Sequence, residues 1–404
     1  MYIENLLIVG LDTVALARSA YRAGYNVYAV DYFGDQDLRM VCTSCESIIS
    51  QQVGRSCGHL EDHFSPKKFL DTVKKISETC RIDGILLASG LEDSQEALLE
   101  LNKIAPIIGN SIQSIKKVRD KTDFFYQIQK LGINCPKTLL ARTIEEVREA
   151  TSTIGYPILL KPLYSLGGSG ITFAENETQL TKILGKDTIN SKGLLIQEYI
   201  PGKHVSTSFI STRNRAVVLS LNEQLLGVKE VGQKNPFGYC GNIVPAEINT
   251  EAANKCKFIA EKISAHFNLL GSNGLDIILN ENNDPYVIEV NPRFQGTFEC
   301  VEKYLGINLV RTHLNACLKG VAPILNVASS DNVFVRLIVF APYRAYAPDL
   351  SKQEGVRDIP VPGVIIEEGE PVCSIIMAEQ TCGAALERAV TLASRISKSM
   401  FPAS

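Results

Sequence analysis

The stretch that most constrains this chain is Gly274-Leu275-Asp276-Ile277-Ile278-Leu279, then a turn-rich segment over residues 280–284, then residues 285–291. Two apolar runs of strand length around a loop of Asn, Glu and Asp read as a β-hairpin. Folding it about its centre sets Asp276 opposite Glu289. Alternate residues of a strand share a face, so Asn291 projects beside Glu289, with Arg293 just beyond. Two carboxylates and an amide oxygen then meet at one end of a hairpin whose flanks are apolar, and the carboxylates are expected to be partly buried. Like charges buried together need a cation, and an all-oxygen set selects Mg²⁺ or Mn²⁺. The bland alternative is a solvent-facing polar edge.

Upstream, Gly155-Tyr156-Pro157-Ile158-Leu159-Leu160-Lys161-Pro162 delivers a lysine at the end of a strand. Ser165-Leu166-Gly167-Gly168-Ser169-Gly170 follows within a few residues. Glycines let backbone N–H groups turn toward phosphate oxygens, and the lysine adds a point charge. No Gly-Lys-Ser/Thr closes the loop, so it is not a Walker P-loop; taken alone it is equally a hairpin turn with an edge lysine. Gln197-Glu198-Tyr199-Ile200-Pro201-Gly202 is a strand running into a Pro-Gly stop, an extended segment able to present backbone groups to an adenine edge. Tyr239-Cys240-Gly241-Asn242-Ile243-Val244-Pro245, after Asn222-Glu223-Gln224 and Lys229, reads as a loop that either lines a substrate site or merely connects strands.

The first 110 residues or so alternate in a βαβ manner. A strand at residues 6–9 ends at Gly10, a helix over 13–23 closes at Gly24, and a second strand runs over 25–30. Only Gly10 stands where G-x-G-x-x-G is required, so the spacing to Asp31 does not make a dinucleotide site. Ser65-Pro66 opens a helix with Phe69, Leu70, Val73 and Ile76 on one stripe, and residues 82–88 form a buried strand. Glu92 and Asp93 then fall at the carboxyl edge of that sheet, where ligands bind, although Asp93-x-x-Glu96 is more simply a helix capping box. Asp120 caps a helix over 121–131, and a long helix spans 250–267. From about residue 330, strands near 333–340 and 372–377 and a helix near 384–400 form a small α+β section.

A net charge of −3 and the absence of Trp leave no basic footprint and no stacking platform, so nucleic acid is not an implied partner. The start Met1-Tyr2-Ile3-Glu4 lacks a signal peptide's basic flank, and no run approaches the ~20 apolar residues of a membrane span. The protein is therefore read as cytoplasmic, with no membrane partner. Of 11 cysteines most fit buried free thiols, while Cys42, Cys45, Cys57 and His59 could together make a structural zinc site. Only one residue separates Cys57 from His59, which is poor geometry for chelation.

The ordered set of Lys121, the Lys161 strand, the Gly167–Gly170 loop, the Glu198 strand, Asp276 and Glu289-Val290-Asn291-Pro292-Arg293 resembles the ATP-grasp superfamily. The likeness runs over about residues 110–325. It implies an N-terminal Rossmann-like doubly wound α/β domain (1–110) and a two-part ATP-grasp core (111–325, lid about 135–195, metal-binding half about 196–325). A small C-terminal α+β domain (326–404), similar to the extension of biotin-carboxylase-like members, completes it. It implies Lys121 and Lys161 on the α- and β-phosphates, and Gly167, Gly168, Ser169 and Gly170 closing over the β- and γ-phosphates. Glu198, Tyr199 and Ile200 would hold adenine, Asp276, Glu289 and Asn291 one or two Mg²⁺, and Arg293 the transferring phosphoryl group. Many members carry a ribose-binding Glu after the Pro-Gly; here Lys203-His204-Val205-Ser206 makes His204 the ribose candidate or else an ordinary surface histidine. The implied activity is ATP-dependent joining of a small-molecule carboxylate to an amine through an acyl phosphate. Its rivals are carboxylation with bicarbonate and a nucleotide-binding regulator without turnover. Homodimers are a frequent default for such a chain.

Overall fold

In the computed structural model, residues 2–163, 165, 167–184, 193–325 and 330–403 are described. Strands β1 (Asn5–Gly10), β2 (Asn26–Asp31), β3 (Ser44–Ser47) and β4 (Gly84–Leu87) form a parallel sheet in the order β3-β2-β1-β4. Helices cover both of its faces, which is why β1 and β4 are continuous apolar runs rather than alternating ones, while β3, at one edge, is polar. Leu6 and Ile8 pack toward the helix Val14–Arg22, and Leu7 and Val9 toward the helices Pro66–Thr79 and Gln95–Ile104. One expectation fails here. The last of these helices has Ser94 at its N-cap, and Asp93 instead receives two hydrogen bonds from Arg119, because a guanidinium matches a carboxylate better than a free helix end does.

A second sheet is antiparallel: β5 (Thr138–Ala141), β6 (Ile158–Pro162), β7 (Thr172–Ala174) and β8 (Leu194–Glu198), in the order β5-β8-β6-β7. Ile158, Leu160, Leu194 and Ile196 face the helix Ile144–Ile154, which starts where Thr143 Oγ1 accepts the Glu146 N–H at 3.1 Å. The period of two therefore turns Leu159, Lys161, Leu195 and Gln197 to the other side. That side is one wall of the main cleft.

The third sheet has eight strands. β9 (Lys203–Ser211), β10 (Ala216–Leu226), β11 (Tyr239–Val244), β12 (Gly271–Leu279), β13 (Pro285–Asn291) and β14 (Val333–Phe340) are joined by Val356–Arg357 and Pro371–Glu379. The order is β13-β12-β9-β10-β11-β14, then 371–379, then 356–357. The C-terminal strands thus extend the same sheet, with the helix Cys382–Ser399 packed over them. The helix Thr250–Phe267 buries Cys256, Ile259, Ile263 and Phe267 against Phe124, Phe125 and Ile128.

The segment 239–244, read from sequence as a loop, is the strand β11. Its Cys-Gly-Asn centre hides the alternation, and only glycine serves at Gly241: φ is +141°, and a Cβ would lie 1.9 Å from the Arg336 carbonyl oxygen. The zinc alternative also fails. Cys42 and Cys45 pack beside the first sheet's core, Cys57 packs against the C-terminal core, and His59 Nδ1 lies 3.1 Å from Glu370. All 11 cysteines are free, and among the described residues no group of three His, Cys, Asp or Glu is placed to hold a metal. No helix among the described residues is long and apolar enough to cross a membrane.

Candidate active site

The second and third sheets face each other across a cleft of about 430 Å³, and the carboxyl ends of β1 and β4 supply a third wall through Asp12, Gly90 and Glu92. The hairpin register is the one the sequence predicts: Asp276 pairs with Glu289, and Gly274 with Asn291. The Asn291 amide donates to Asp276 at 3.1 Å. Burial first, and then the neighbouring Glu289 charge, push the Asp276 carboxyl up to about 6. Glu289 goes the other way. Burial opposes its ionisation, but Lys121, at 2.8 Å, and Arg119 hold it well below the usual carboxylate range. One carboxylate of the pair is held ionised by protein cations, whereas at its partner burial and the Glu289 charge outweigh Arg293 and Lys121.

Lys121 owes its place to the Asp120 cap, whose side chain accepts the Asp123 N–H at 3.2 Å and starts the helix Lys121–Lys130 at the cleft. Lys161 comes from β6 on the facing sheet. Burial, reinforced by the Lys121 charge, pushes its ammonium down to about 8, and among the described residues it has no carboxylate within ion-pair distance. A buried ammonium without an anion fits a phosphate, and an under-compensated carboxylate opposite it fits a divalent cation. The residues present therefore suit a metal–nucleotide. Arg293 spans Glu92 (2.7 Å), the Phe294 carbonyl (2.9 Å) and the Asn291 Oδ1 (3.2 Å), so its fork is held rigid at the cleft edge.

The remaining predicted residues divide. Gly167, Gly168, Glu198, Tyr199, Ile200 and His204 line the cleft. Ser169 and Gly170 do not: the Ser169 hydroxyl donates to Glu61, and Gly170 packs over Pro162. Gly167 accepts the Tyr239 N–H at 2.9 Å, and Gly168 accepts from the Asn235 amide at 2.9 Å. The loop is thus docked on residues 235–239, and Leu166 lies outside the described residues. The Tyr199 N–H donates to the Pro157 carbonyl at 3.2 Å, and Glu198 accepts the Lys137 N–H at 3.0 Å. Burial, then Lys161, lowers the His204 imidazole. Gln224, Tyr239 and Asn242 also line the cleft, whereas Lys229 and Asn222 do not.

Sequence reasoning missed Arg119, which ties Asp93 to Glu289 and adds to the counter-charge that Lys121 supplies there. Its position, one residue before the Asp120 cap, was the available signal. It also missed Arg336, which donates to Asp12 at 2.6 Å and to the Gly296 carbonyl at 2.8 Å.

The second sheet, carrying Lys161, faces the sheet that bears Asp276, Glu289 and Asn291, and this arrangement has the fold of ATP-grasp proteins. Residues 118–297 match the ATP-grasp domain family. An uncharacterised protein of Methanocaldococcus jannaschii is 27% identical over 383 residues, covering 92% of this chain and 88% of that one. The arginine-specific carbamoyl phosphate synthase large chain of Bacillus subtilis is 26% identical over 275 residues. That match takes in 67% of this chain and 26% of the synthase, so the chain spans about a quarter of that relative's length. Among solved structures, the biotin carboxylase of Campylobacter jejuni superposes with a TM-score of 0.73 at 16% identity, covering 99% of this chain and 92% of that one. The L-amino acid ligase of Bacillus licheniformis gives 0.70 at 16% identity with both chains fully covered. The fold is that of ATP-dependent ligases and carboxylases.

Proposed function

We propose that the protein is an ATP-dependent carboxylate–amine ligase working through an acyl phosphate. The observation that carries this reading is the opposition, across one cleft, of Lys161, which has no ion-pair partner among the described residues, and under-compensated Asp276. Asp276, Glu289 and Asn291 would hold Mg²⁺ or Mn²⁺, which when bound neutralises the β- and γ-phosphates. Lys121 and Lys161 bind phosphate oxygens. Glu198, Tyr199 and Ile200 border the adenine, and His204 the ribose. The Gly167–Gly168 turn covers the phosphates and excludes water from the labile acyl phosphate.

Arg293, pinned by Glu92 and Asn291, meets the phosphoryl group as its charge spreads during transfer. A substrate carboxylate oxygen attacks the γ-phosphorus, and the bond to the β-phosphate oxygen breaks, releasing ADP. A neutral amine then attacks the acyl carbon. The C–N bond forms, the C–O bond to phosphate breaks, phosphate leaves with the electron pair, and one proton passes to solvent.

The likeness to the carbamoyl phosphate synthase large chain and to biotin carboxylase supports a second reading, in which bicarbonate is the phosphorylated acid. Oxygen-18 placed in the acid tests both. Screening ADP release against acid–amine pairs identifies active pairs, and label from the acid should then appear in phosphate. Bicarbonate-dependent turnover that needs no amine selects the second reading. Turnover undiminished by Asp276→Ala and Glu289→Ala refutes both.

A further inference from the structure

A second cavity, of about 150 Å³, lies beside the cleft, and Asp12, Arg336 and Ile338 line both. Its apolar wall includes Phe33, Ile49, Val364 and Ile366. Its polar residues include Asp35, Asp358 and Tyr32. The Asp31 carboxylate behind them is fully used, accepting from the Thr13 N–H and hydroxyl and from the N–H groups of Phe33 and Gly34. Asp37 is likewise used by the N–H groups of Asp358 and Ile359.

Asp35 is different. It is 6% exposed, and its side chain accepts from the neutral Gln51 amide at 3.0 Å. Burial, then the like charges of Asp31, Asp358 and Asp37, raise its carboxyl well above the usual range. Arg336, which lines the cavity, divides one nitrogen among Asp12, Asp358 and the Ser374 hydroxyl. An independent observation points the same way. Tyr32 is 2% exposed, and its buried phenol oxygen has no hydrogen-bond partner among the described residues. A hydroxyl stripped of water and left unpaired in a cavity wall is a site prepared for a polar group that arrives with a ligand.

We propose that this cavity is the recognition pocket for a protonated amino group on an aliphatic chain, with Asp35 as its counter-ion and the Tyr32 hydroxyl as a further hydrogen-bond partner. The proposal rests on the ligase reading and narrows its amine. A nitrogen held at Asp35 stays protonated and has no lone pair to attack with, so it is a handle. The reacting nitrogen is a second one, carried past Asp12 and Arg336 into the cleft. A cavity of this size holds about six non-hydrogen atoms, which suits a short diamine or the side chain of a basic amino acid.

The test is calorimetric titration of the full chain, with Mg·ADP present, using 1,4-diaminobutane, butylamine, 1-pentanol and pentanoate. The two ammonium compounds should bind at least tenfold more tightly than the neutral and anionic chains, and Asp35→Asn should erase that preference. Tyr32→Phe breaks no hydrogen bond, so it should keep the thermal midpoint while weakening 1,4-diaminobutane about threefold or more. Equal binding of 1-pentanol, or ammonium binding unchanged in Asp35→Asn and Tyr32→Phe, overturns the pocket. Diamine binding that meets these expectations without ADP release for any acid sinks the ligase reading and leaves the pocket standing. ADP release that depends on amines lacking a second cation, unaffected by Asp35→Asn, does the reverse.

Discussion

Asp276 and Glu289 face each other across one register position, yet neutralising them should have opposite effects on stability. For Asp276 the carboxyl rises from 3.8 to about 6, burial being the main cause and Glu289 the next. At 1.36 kcal/mol per unit, ionising it in the metal-free folded protein costs at most about 3 kcal/mol, and partial exposure lowers that toward about 1–2. The sign follows from proton counts. Between pH 4 and 6 the folded chain holds a proton at Asp276 that the unfolded chain has lost. Stability therefore falls as pH rises through this window, and the full cost stands above it.

Asp276→Asn removes the charge while its Oδ1 still accepts from the Asn291 amide. In chelator at pH 7.5 the variant should be more stable than the parent by about 1–3 kcal/mol. For a chain of this length, at about 2.1 cal/mol/K per residue, that is a rise in Tm of about 1–4 °C. The gain should vanish near pH 4, while ADP formation at pH 7.5 falls by about 100-fold or more. Glu289→Gln should instead destabilise, by about 2–4 kcal/mol, since it strips Lys121 and Arg119 of their shared anion. Differential scanning calorimetry at the two pH values decides the matter. A lower Tm for Asp276→Asn at pH 7.5, or a gain that persists at pH 4, means the hairpin is not electrostatically strained as argued.

Three other outcomes follow from the same geometry. With its ammonium pushed down to about 8 by burial and Lys121, Lys161 loses charge as pH rises past that point; ADP affinity by titration should weaken about tenfold from pH 7 to 9, a dependence absent in Lys161→Met. Burial pushes the His313 imidazole down to about 4, with its Nδ1 accepting the Ser272 N–H at 2.8 Å and its Nε2 bonded to the Ile108 carbonyl at 2.9 Å. The folded state then binds fewer protons than the unfolded one between pH 4 and 6.5, so stability present above 6.5 is lost on acidification, by about 3 kcal/mol; urea midpoints should show this slope, and His313→Gln should flatten it. Gly168 has φ +82°, and an added Cβ would lie 2.1 Å from the Phe237 carbonyl oxygen, so Gly168→Ala should lift the loop and cut kcat about tenfold or more while ADP affinity changes less. Equal losses in both would make the loop a binding element only.

What was legible in the sequence was whatever depended on spacing along one or two elements. The Asp276–Glu289 register followed from the period of two, and the Lys121 helix from its Asp120 cap. What was not legible depended on side chains meeting from distant parts of the chain. Arg119 reads locally as one more basic residue in a helix's last turn, and only the fold carries it to Glu289, 170 residues away. Asp93 followed the capping pattern, but a bidentate arginine is a stronger partner than a frayed helix end, so the tertiary contact prevailed. β11 was hidden by Gly241, which is there to let Arg336's backbone approach, and Arg336 in turn carries the charge that separates the cleft from the second cavity. These three misses share a cause. Each bears on a charge, Arg119, Asp93 or Arg336, that lies in the wall of the cleft. The failures of local reasoning therefore fall around the chemistry of the protein rather than being scattered through its core.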